Sequence, residues 1–432
     1  MIALEVMTYT PNRREFLKST AVAVGMPMII PASALGRDGT VAPSNRIVLG
    51  AIGIGPRGRY VLETFLKYPE AQFVTVCDVQ KANARTAKMM VDRRNGNQDC
   101  GTTADLLEVF GRDDIDAVMI ATGDRWHALA TILAAKAGKD VYSEKPCALT
   151  IAECAELDDT VQRYGRVFQA GTQRRNVPNF RHAIELARSG RLGRVHTVHA
   201  SINQLVENHN WLPAEPEPAP EEIDWDRWLG PAPWRPYNIA YVRGRWRGHH
   251  DFEAGARLLD WGAHTVDLCQ AAIGADGTTP VEFEPDGSTI HARYADGVKL
   301  VMRFGGYNGE GDWLNLGTCP VRFDGDKGWV QAGDSGKIVT EPASLLAGSH
   351  IGDMAGTDPT DHVREFLDCV KSRGTTASNS SVMRKTHVAC LAAAIAWRLG
   401  RKLTLDPAKE SFVNDEEANR MRSRARRAPW HA

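Results

Sequence analysis

From residue 46 to about residue 170 the chain alternates short apolar runs with amphipathic stretches. Arg46-Ile-Val-Leu-Gly-Ala-Ile is apolar at nearly every position, which predicts a strand buried on both faces, and the segment after it carries apolar residues at helical spacing. The alternation continues through Phe73-Val-Thr-Val-Cys-Asp78, Asp116-Ala-Val-Met-Ile-Ala121, Asp140-Val-Tyr-Ser143 and Arg166 to Ala170. Strands separated by helices predict a parallel, doubly wound sheet over residues 45–171. Beyond residue 190 the period changes to two, as in Ser288-Thr-Ile-His-Ala-Arg-Tyr and Val298-Lys-Leu-Val-Met-Arg-Phe304, with Asp-Gly and Gly-Gly turns between the runs. These are hairpins of a large, open, mostly antiparallel sheet, so residues 172–432 read as a second α/β domain. His362 to Ser372 and Val382 to Leu399 predict its carboxyl-terminal helices, and the charged tail from Asp415 to Trp430 is expected to dock back or to mediate assembly.

With 432 residues the chain is long enough for two or three domains, and its net charge of -1 offers no global attraction to nucleic acid or anionic lipid. A small neutral solute is the expected partner. Asn12-Arg13-Arg14-Glu-Phe-Leu-Lys18, the apolar run from Ala21 to Ile30 and Pro31-Ala-Ser-Ala34 form a charged region, a short apolar region and an Ala-x-Ala cleavage signal. The paired arginines make residues 1–36 resemble a twin-arginine signal peptide, which predicts a periplasmic protein exported folded. No later stretch has the apolar length of a transmembrane helix, so no stable membrane anchor is expected. The eight cysteines lack paired spacing, and His249-His250 lacks a third ligand at convincing spacing, so no metal is expected.

The first strand runs into Gly53-Ile-Gly55-Pro-Arg57-Gly58 and then into a helix, as a Rossmann dinucleotide site requires. Gly53 permits the tight turn, Gly55 lets a pyrophosphate approach the backbone, and Gly58 lets helix and strand pack closely. Asp78 ends the next strand 25 positions after Gly53, where a carboxylate meets the adenosine ribose, and it favours NAD over NADP by repelling a 2′-phosphate. Thr122-Gly-Asp-Arg-Trp-His127 and Glu144-Lys145-Pro146 follow two further strands and so point at the nicotinamide end. The expected cofactor residues are therefore Gly53, Gly55, Arg57, Gly58, Asp78, Thr122, His127, Glu144 and Lys145.

In Leu258-Leu-Asp-Trp-Gly-Ala-His264-Thr-Val-Asp267, spacings of four and three place Asp260, His264 and Asp267 on one face of a helix running from about Trp261. An imidazole flanked by carboxylates can move a proton to and from a hydroxyl near neutral pH. A capped helix with a core histidine has the same pattern, and the remainder of the sequence favours the chemical reading. From Leu212 to Arg247 the chain is rich in proline and tryptophan, too long and irregular for a turn. It reads as a lid over the substrate or as a clasp between domains or subunits, with Tyr237, Tyr241 and Trp246 as candidate sugar-stacking residues.

The glycine triplet, Ala-Gly-Lys-Asp-Val-Tyr-Ser-Glu-Lys-Pro146, Gly171-Thr-Gln-Arg-Arg175 and Asp260-x-x-x-His264 occur in an order that resembles the Gfo/Idh/MocA family of oxidoreductases. The resemblance implies a Rossmann domain followed by an open-sheet domain that serves in oligomerisation, hence a homo-oligomer, dimer or tetramer. It implies that Lys145, Asp260, His264 and Asp267 act on the substrate and that Arg174 contacts it. The function so implied is hydride transfer between tightly bound NAD and a ring hydroxyl of a sugar, glycoside or cyclitol, with Lys145, Asp260 and His264 catalytic. Two alternatives are an NAD-dependent glycoside hydrolase that oxidises its substrate transiently and a noncatalytic sugar- or NAD-binding protein. The complete proton-handling set argues against the second.

Overall fold

The continuous apolar runs form the strands of a parallel sheet in the computed structural model, which describes residues 41–305, 313–349 and 355–430. The leader expected at residues 1–36 lies outside them, and Pro43–Asn45 makes a single 3-10 turn. Strands β1 (Ile47–Ile52), β2 (Ala71–Cys77), β3 (Gly101–Thr103), β4 (Ala117–Ile120), β5 (Asp140–Ser143) and β6 (Phe168–Ala170) lie in the order β3-β2-β1-β4-β5-β6, every pair parallel. That order reverses direction between β1 and β4, which opens a crevice at the carboxyl ends of the strands. Helices α1 (Pro56–Phe65), α2 (Lys81–Asn95), α3 (Leu106–Phe110), α4 (Asp124–Lys136) and α5 (Ile151–Arg163) connect the strands. Pro56 starts α1 where a missing N–H costs nothing, and the Thr150 hydroxyl caps α5 by accepting from the Glu153 N–H.

After α6 (Pro178–Arg188) the period-two segments form a nine-stranded sheet. Its strands are β7 (Val195–Ile202), β8 (Glu282–Asp286), β9 (Thr289–Arg293), β10 (Lys299–Phe304), β11 (Val321–Gly325), β12 (Gly328–Ala332), β13 (Ile338–Glu341), β14 (Leu403–Asp406) and β15 (Ser411–Phe412). They run in the order β13-β12-β11-β7-β10-β9-β8-β14-β15, and only β7 and β10 pair in parallel. Between β7 and β8 lie α7 (Trp225–Leu229) and α8 (Leu258–Ile273); α9 (Thr360–Ser372), α10 (Ser380–Leu399) and α11 (Glu416–Arg420) follow β13. Helix α8 packs on β7, and α10 packs on both α8 and α5. One core therefore runs from Val118 and Ile132 of the first sheet layer to Val198 and Leu391 of the second.

The proline- and tryptophan-rich segment crosses the crevice as a strap. Glu222 and Asp224 exchange backbone hydrogen bonds with Lys81 and Val79 just past β2, and Arg227 reaches Asp105 at 2.9 Å. The indole of Trp126 donates to the Arg227 carbonyl at 2.9 Å, while Arg125 lies 3.7 Å over the Trp228 ring. The strap has its own aromatic core, in which Trp225 and Trp228 stack at 4.7 Å, Tyr241 stacks on Trp225 at 6.2 Å, and Tyr237 and Phe252 pack edge-on to Trp225 and Trp228. The tail docks back, as expected: Arg427 pairs with Asp226, and Trp430 sits edge-on to Trp126 at 4.9 Å.

Candidate active site

Under the strap, at the carboxyl ends of β1, β2 and β4, lies a cavity of about 520 Å³. This is within the range of pockets that hold small molecules and cofactors. Gly53, Gly55, Arg57, Asp78 and Thr122 line it from the parallel sheet, and Val242, Trp246 and Arg247 close it from the strap. Gly53 has φ +76, a left-handed conformation that excludes most side chains, and a Cβ there would meet the Thr122 backbone at 2.6 Å. At Gly55 a Cβ would meet nothing within 4 Å, so the backbone at the start of α1 faces open space as a pyrophosphate cradle requires. Asp78 accepts from the Ile54 and Gln80 N–H groups, and burial pushes its pKa up to about 6 against those bonds. The residues present thus fit a bound dinucleotide. A Cβ on Gly58 would lie 2.5 Å from the Gly53 carbonyl oxygen. Gly58→Ala is expected to push the cradle out of place at a cost of roughly 1–3 kcal/mol and to weaken dinucleotide binding by calorimetry; unchanged affinity would mean that the loop is not the cradle.

At the far edge of the crevice Lys145, just past β5, meets α8. Gly255, Ala256 and Arg257 all adopt left-handed φ, at 58°, 54° and 69°, and this turn delivers the strap into the helix. Two of the three are not glycines, a conformation that costs of order 1–3 kcal/mol each and persists where the surroundings impose it. The turn starts α8 three residues earlier than the spacing predicted, so Asp260 lies in the first turn. Lys145 Nζ donates to the Asp260 carbonyl at 2.6 Å and to its Oδ1 at 3.1 Å; Asn203 Nδ2 donates to Oδ2 at 2.9 Å, and Arg247 Nη1 lies 3.4 Å from Oδ1. Burial works against the Asp260 charge, but Lys145 and Arg247 outweigh it and hold the carboxyl down to about 2. His264, one turn on, is buried with Nδ1 sealed and without a hydrogen-bond partner. Burial, then the charges of Arg174, Lys145 and Arg57, push its pKa well below the ordinary value, so the ring is neutral at neutral pH.

Several expected roles change in the structure. Asp260 does not orient or charge His264, because its oxygens are taken by Lys145, Asn203 and Arg247. Asp267 does not face a substrate: Arg175 grips both its oxygens, at 2.6 and 2.8 Å, and Thr386 donates to one of them. Arg174 is not an open substrate contact either, since it makes a buried two-pronged pair with Asp334 at 2.7 and 2.6 Å, leaving only Nη1 without a partner. His127 spans the Pro146 and Thr122 carbonyls with its two ring nitrogens and so braces the loops around the cavity without lining it. Glu144 is likewise off the cavity and holds Arg57 at 2.8 Å. Tyr237 is buried against Trp225, whereas Trp246 does line the cavity. The third ligand missing beside His250 comes from upstream: Glu207, His209 and His250 bring ligating atoms within 4.8 Å, but Arg398 already occupies both oxygens of Glu207. Asn203, Arg175, Arg247 and Asp334 were not foreseen, and the doubled arginine at 174–175 was the only local hint of any of them.

A glycine cradle at a Rossmann switch point, with a lysine-carboxylate pair and a neutral imidazole beside it, defines a dinucleotide-binding oxidoreductase. The chain belongs to the Gfo/Idh/MocA oxidoreductase family: residues 47–172 match its NAD-binding Rossmann fold and residues 197–432 its C-terminal alpha/beta domain. Among curated relatives, the alpha-N-acetylgalactosaminidase of Shewanella oneidensis is 32% identical over 170 residues, a match that spans 35% of this chain and 37% of the relative. Among solved structures, myo-inositol 2-dehydrogenase from Lactobacillus plantarum aligns with a TM-score of 0.59 at 16% identity, over 84% of this chain and all of that one. Aldose-aldose oxidoreductase from Caulobacter crescentus, complexed with glycerol, aligns with a TM-score of 0.58 at 17% identity, over 83% of this chain and all of that one. At these identities the likeness to solved structures is one of fold.

Proposed function

We propose that the protein transfers a hydride between a tightly held NAD and a ring hydroxyl of a sugar, glycoside or cyclitol. The observation that carries this reading is the neutral, buried His264 beside the Lys145–Asp260 pair, at the carboxyl end of the parallel sheet. When bound, the nicotinamide supplies the hydride acceptor. His264 takes the hydroxyl proton at Nε2, because Nδ1 is sealed. Lys145 holds the same oxygen, and Asp260 keeps that ammonium in place. Trp246 offers an apolar face to the ring, and the strap walls the crevice on that side. Asp78 on the ribose side supports NAD over NADP, since a 2′-phosphate would meet a carboxylate.

The strap supports a resident cofactor, because it is tied at residues 79–81, 105 and 126, around the cavity that a dinucleotide would fill. Residency suits the export in folded form that the Arg13-Arg14 leader pattern supports, and the oligomer that the open-sheet architecture suggests. The relationship to a protein named alpha-N-acetylgalactosaminidase favours a second reading, in which oxidation is transient and an aglycone is released. The deciding experiment is an absorbance spectrum of the purified protein before and after mixing with a panel of sugars and glycosides. A reduced-nicotinamide band appearing with one sugar class supports the dehydrogenase. Aglycone release without net reduction supports the second reading, and neither response, even with added NAD, sinks both.

A further inference from the structure

Among the buried carboxylates that the reaction just described leaves unused are Asp124 and Glu253. Asp124 opens α4, Glu253 lies between the strap and α8, and both are sealed from solvent. They are neighbours, because the N–H of Ala254, the residue after Glu253, donates to Asp124 Oδ2 at 3.4 Å. That long bond is the only donor to the Asp124 carboxylate among the described residues. Glu253 has two donors: the Gly248 N–H on Oε2, and Arg247 Nη1 at 3.4 Å from Oε1. The same Nη1 is 3.4 Å from Asp260 Oδ1, so Arg247 is shared between two acids.

Asp124 faces Arg247, Lys145 and Asp260, with Arg125 beside it on α4 and the Cys147 thiol nearby. Glu253 faces Asp124, Arg247 and Asp260, and Asp260 also feels Arg257. Arg125 donates from Nε to the Trp228 carbonyl at 2.8 Å while its charge still acts on Asp124. Three carboxylates, Asp124, Glu253 and Asp260, thus lie around Lys145 and Arg247, with Arg125 and Arg257 at the edges of the cluster. Asp124 and Glu253 are buried side by side, Asp124 with a single long donor, and such carboxylates retain a proton, which belongs to the coupled pair and not to either member. Burial, the largest effect on each, raises Asp124 to about 6 and Glu253 to about 7.

We propose that Asp124 and Glu253 share one proton at neutral pH and, through Arg247, position Asp260 for the reaction, an inference that rests on the dehydrogenase reading. While the pair holds its proton, Arg247 is left to Asp260. When the pH rises and the proton leaves, charged Glu253 competes for the same Nη1. Because Arg247 also lines the cavity from the strap, the pair ties the strap's placement to the charge state behind Lys145. Both acids are positioning residues, since neither touches the cavity.

The test is infrared difference spectroscopy of the protein without substrate, titrated through neutral pH. The carbonyl stretch of a protonated carboxyl should be present on the acid side and bleach as the pH rises. Either Asp124→Asn or Glu253→Gln removes one carboxylate of the pair, and with it the like charge that helps to retain the proton, so each should abolish the band. With a sugar substrate, Glu253→Gln should lower kcat about tenfold, leave KM nearly unchanged and flatten the pH dependence across the range of the titration. Glu253→Asp should restore part of that dependence. No such band in the wild type, or a band that survives in both variants, overturns the pair. A band lost as expected beside an unchanged turnover profile overturns the positioning role. A protein that shows the band and its loss but oxidises no sugar counts against the dehydrogenase reading alone.

Discussion

Replacing His264 with Ala should lower turnover by about 10²- to 10⁴-fold, the usual worth of a positioned general base, and leave dinucleotide binding intact. The ring stands one turn after Asp260 on α8, and its low proton affinity comes from burial first and then from Arg174, Lys145 and Arg57. A histidine lowered in this way is neutral throughout the neutral range, so it accepts a proton without first losing one. Its own acid limb in the pH profile must then fall well below the ordinary histidine value. An alkaline limb near neutrality, where activity falls as the pH rises, reports the Asp124–Glu253 pair, and that limb should disappear in Glu253→Gln. Stopped-flow reduction of the bound nicotinamide in wild type and His264→Ala measures the step directly. Turnover near the wild-type rate would transfer the base role to Lys145.

Asp334→Ala should cost roughly 3–5 kcal/mol of stability, the penalty for stranding a buried charge. Arg174 lies in the turn after β6 and Asp334 just past β12, so their pair joins the two sheets across 160 residues. Asp334 is also held by the Thr318 hydroxyl at 2.5 Å. Removing the carboxylate leaves a guanidinium that cannot give up its proton in a buried site. The double variant Arg174→Met with Asp334→Ala should recover most of the loss, because an apolar pair removes the charge altogether. Urea denaturation of the single and double variants decides. A single variant as stable as the wild type would show that solvent reaches Arg174, and would reopen it as a substrate contact.

The two arginines show where sequence reasoning reaches its limit. Arg174 and Arg175 are adjacent, yet one grips Asp334 and the other Asp267 and Asp276. Asp260 and Asp267 look equivalent in sequence, four before and three after His264. Their partners, 115 and 92 residues away, make one the anchor of Lys145 and the other a structural counterion for Arg175. Helical spacing decides which residues share a face but says nothing of what faces them. The tryptophan-rich segment was legible as a wall over the crevice because of its length and irregularity. Its internal stacking was not, since aromatic residues that bind a sugar and those that pack on each other have the same composition.

By itself the sequence determined the parallel sheet, the glycine cradle, the acidic end of β2, the later hairpins and the position of the lysine and histidine. Each of these is written locally, in hydrophobic period, turn chemistry or a motif within one strand-turn-helix unit. Only the tertiary structure decided the pairing of charges: Lys145 with Asp260, Arg174 with Asp334, Arg175 with Asp267, and Arg247 between Asp260 and Glu253. A buried charge takes its proton affinity from whatever the fold packs within a few ångströms of it, and those neighbours come from remote parts of the chain.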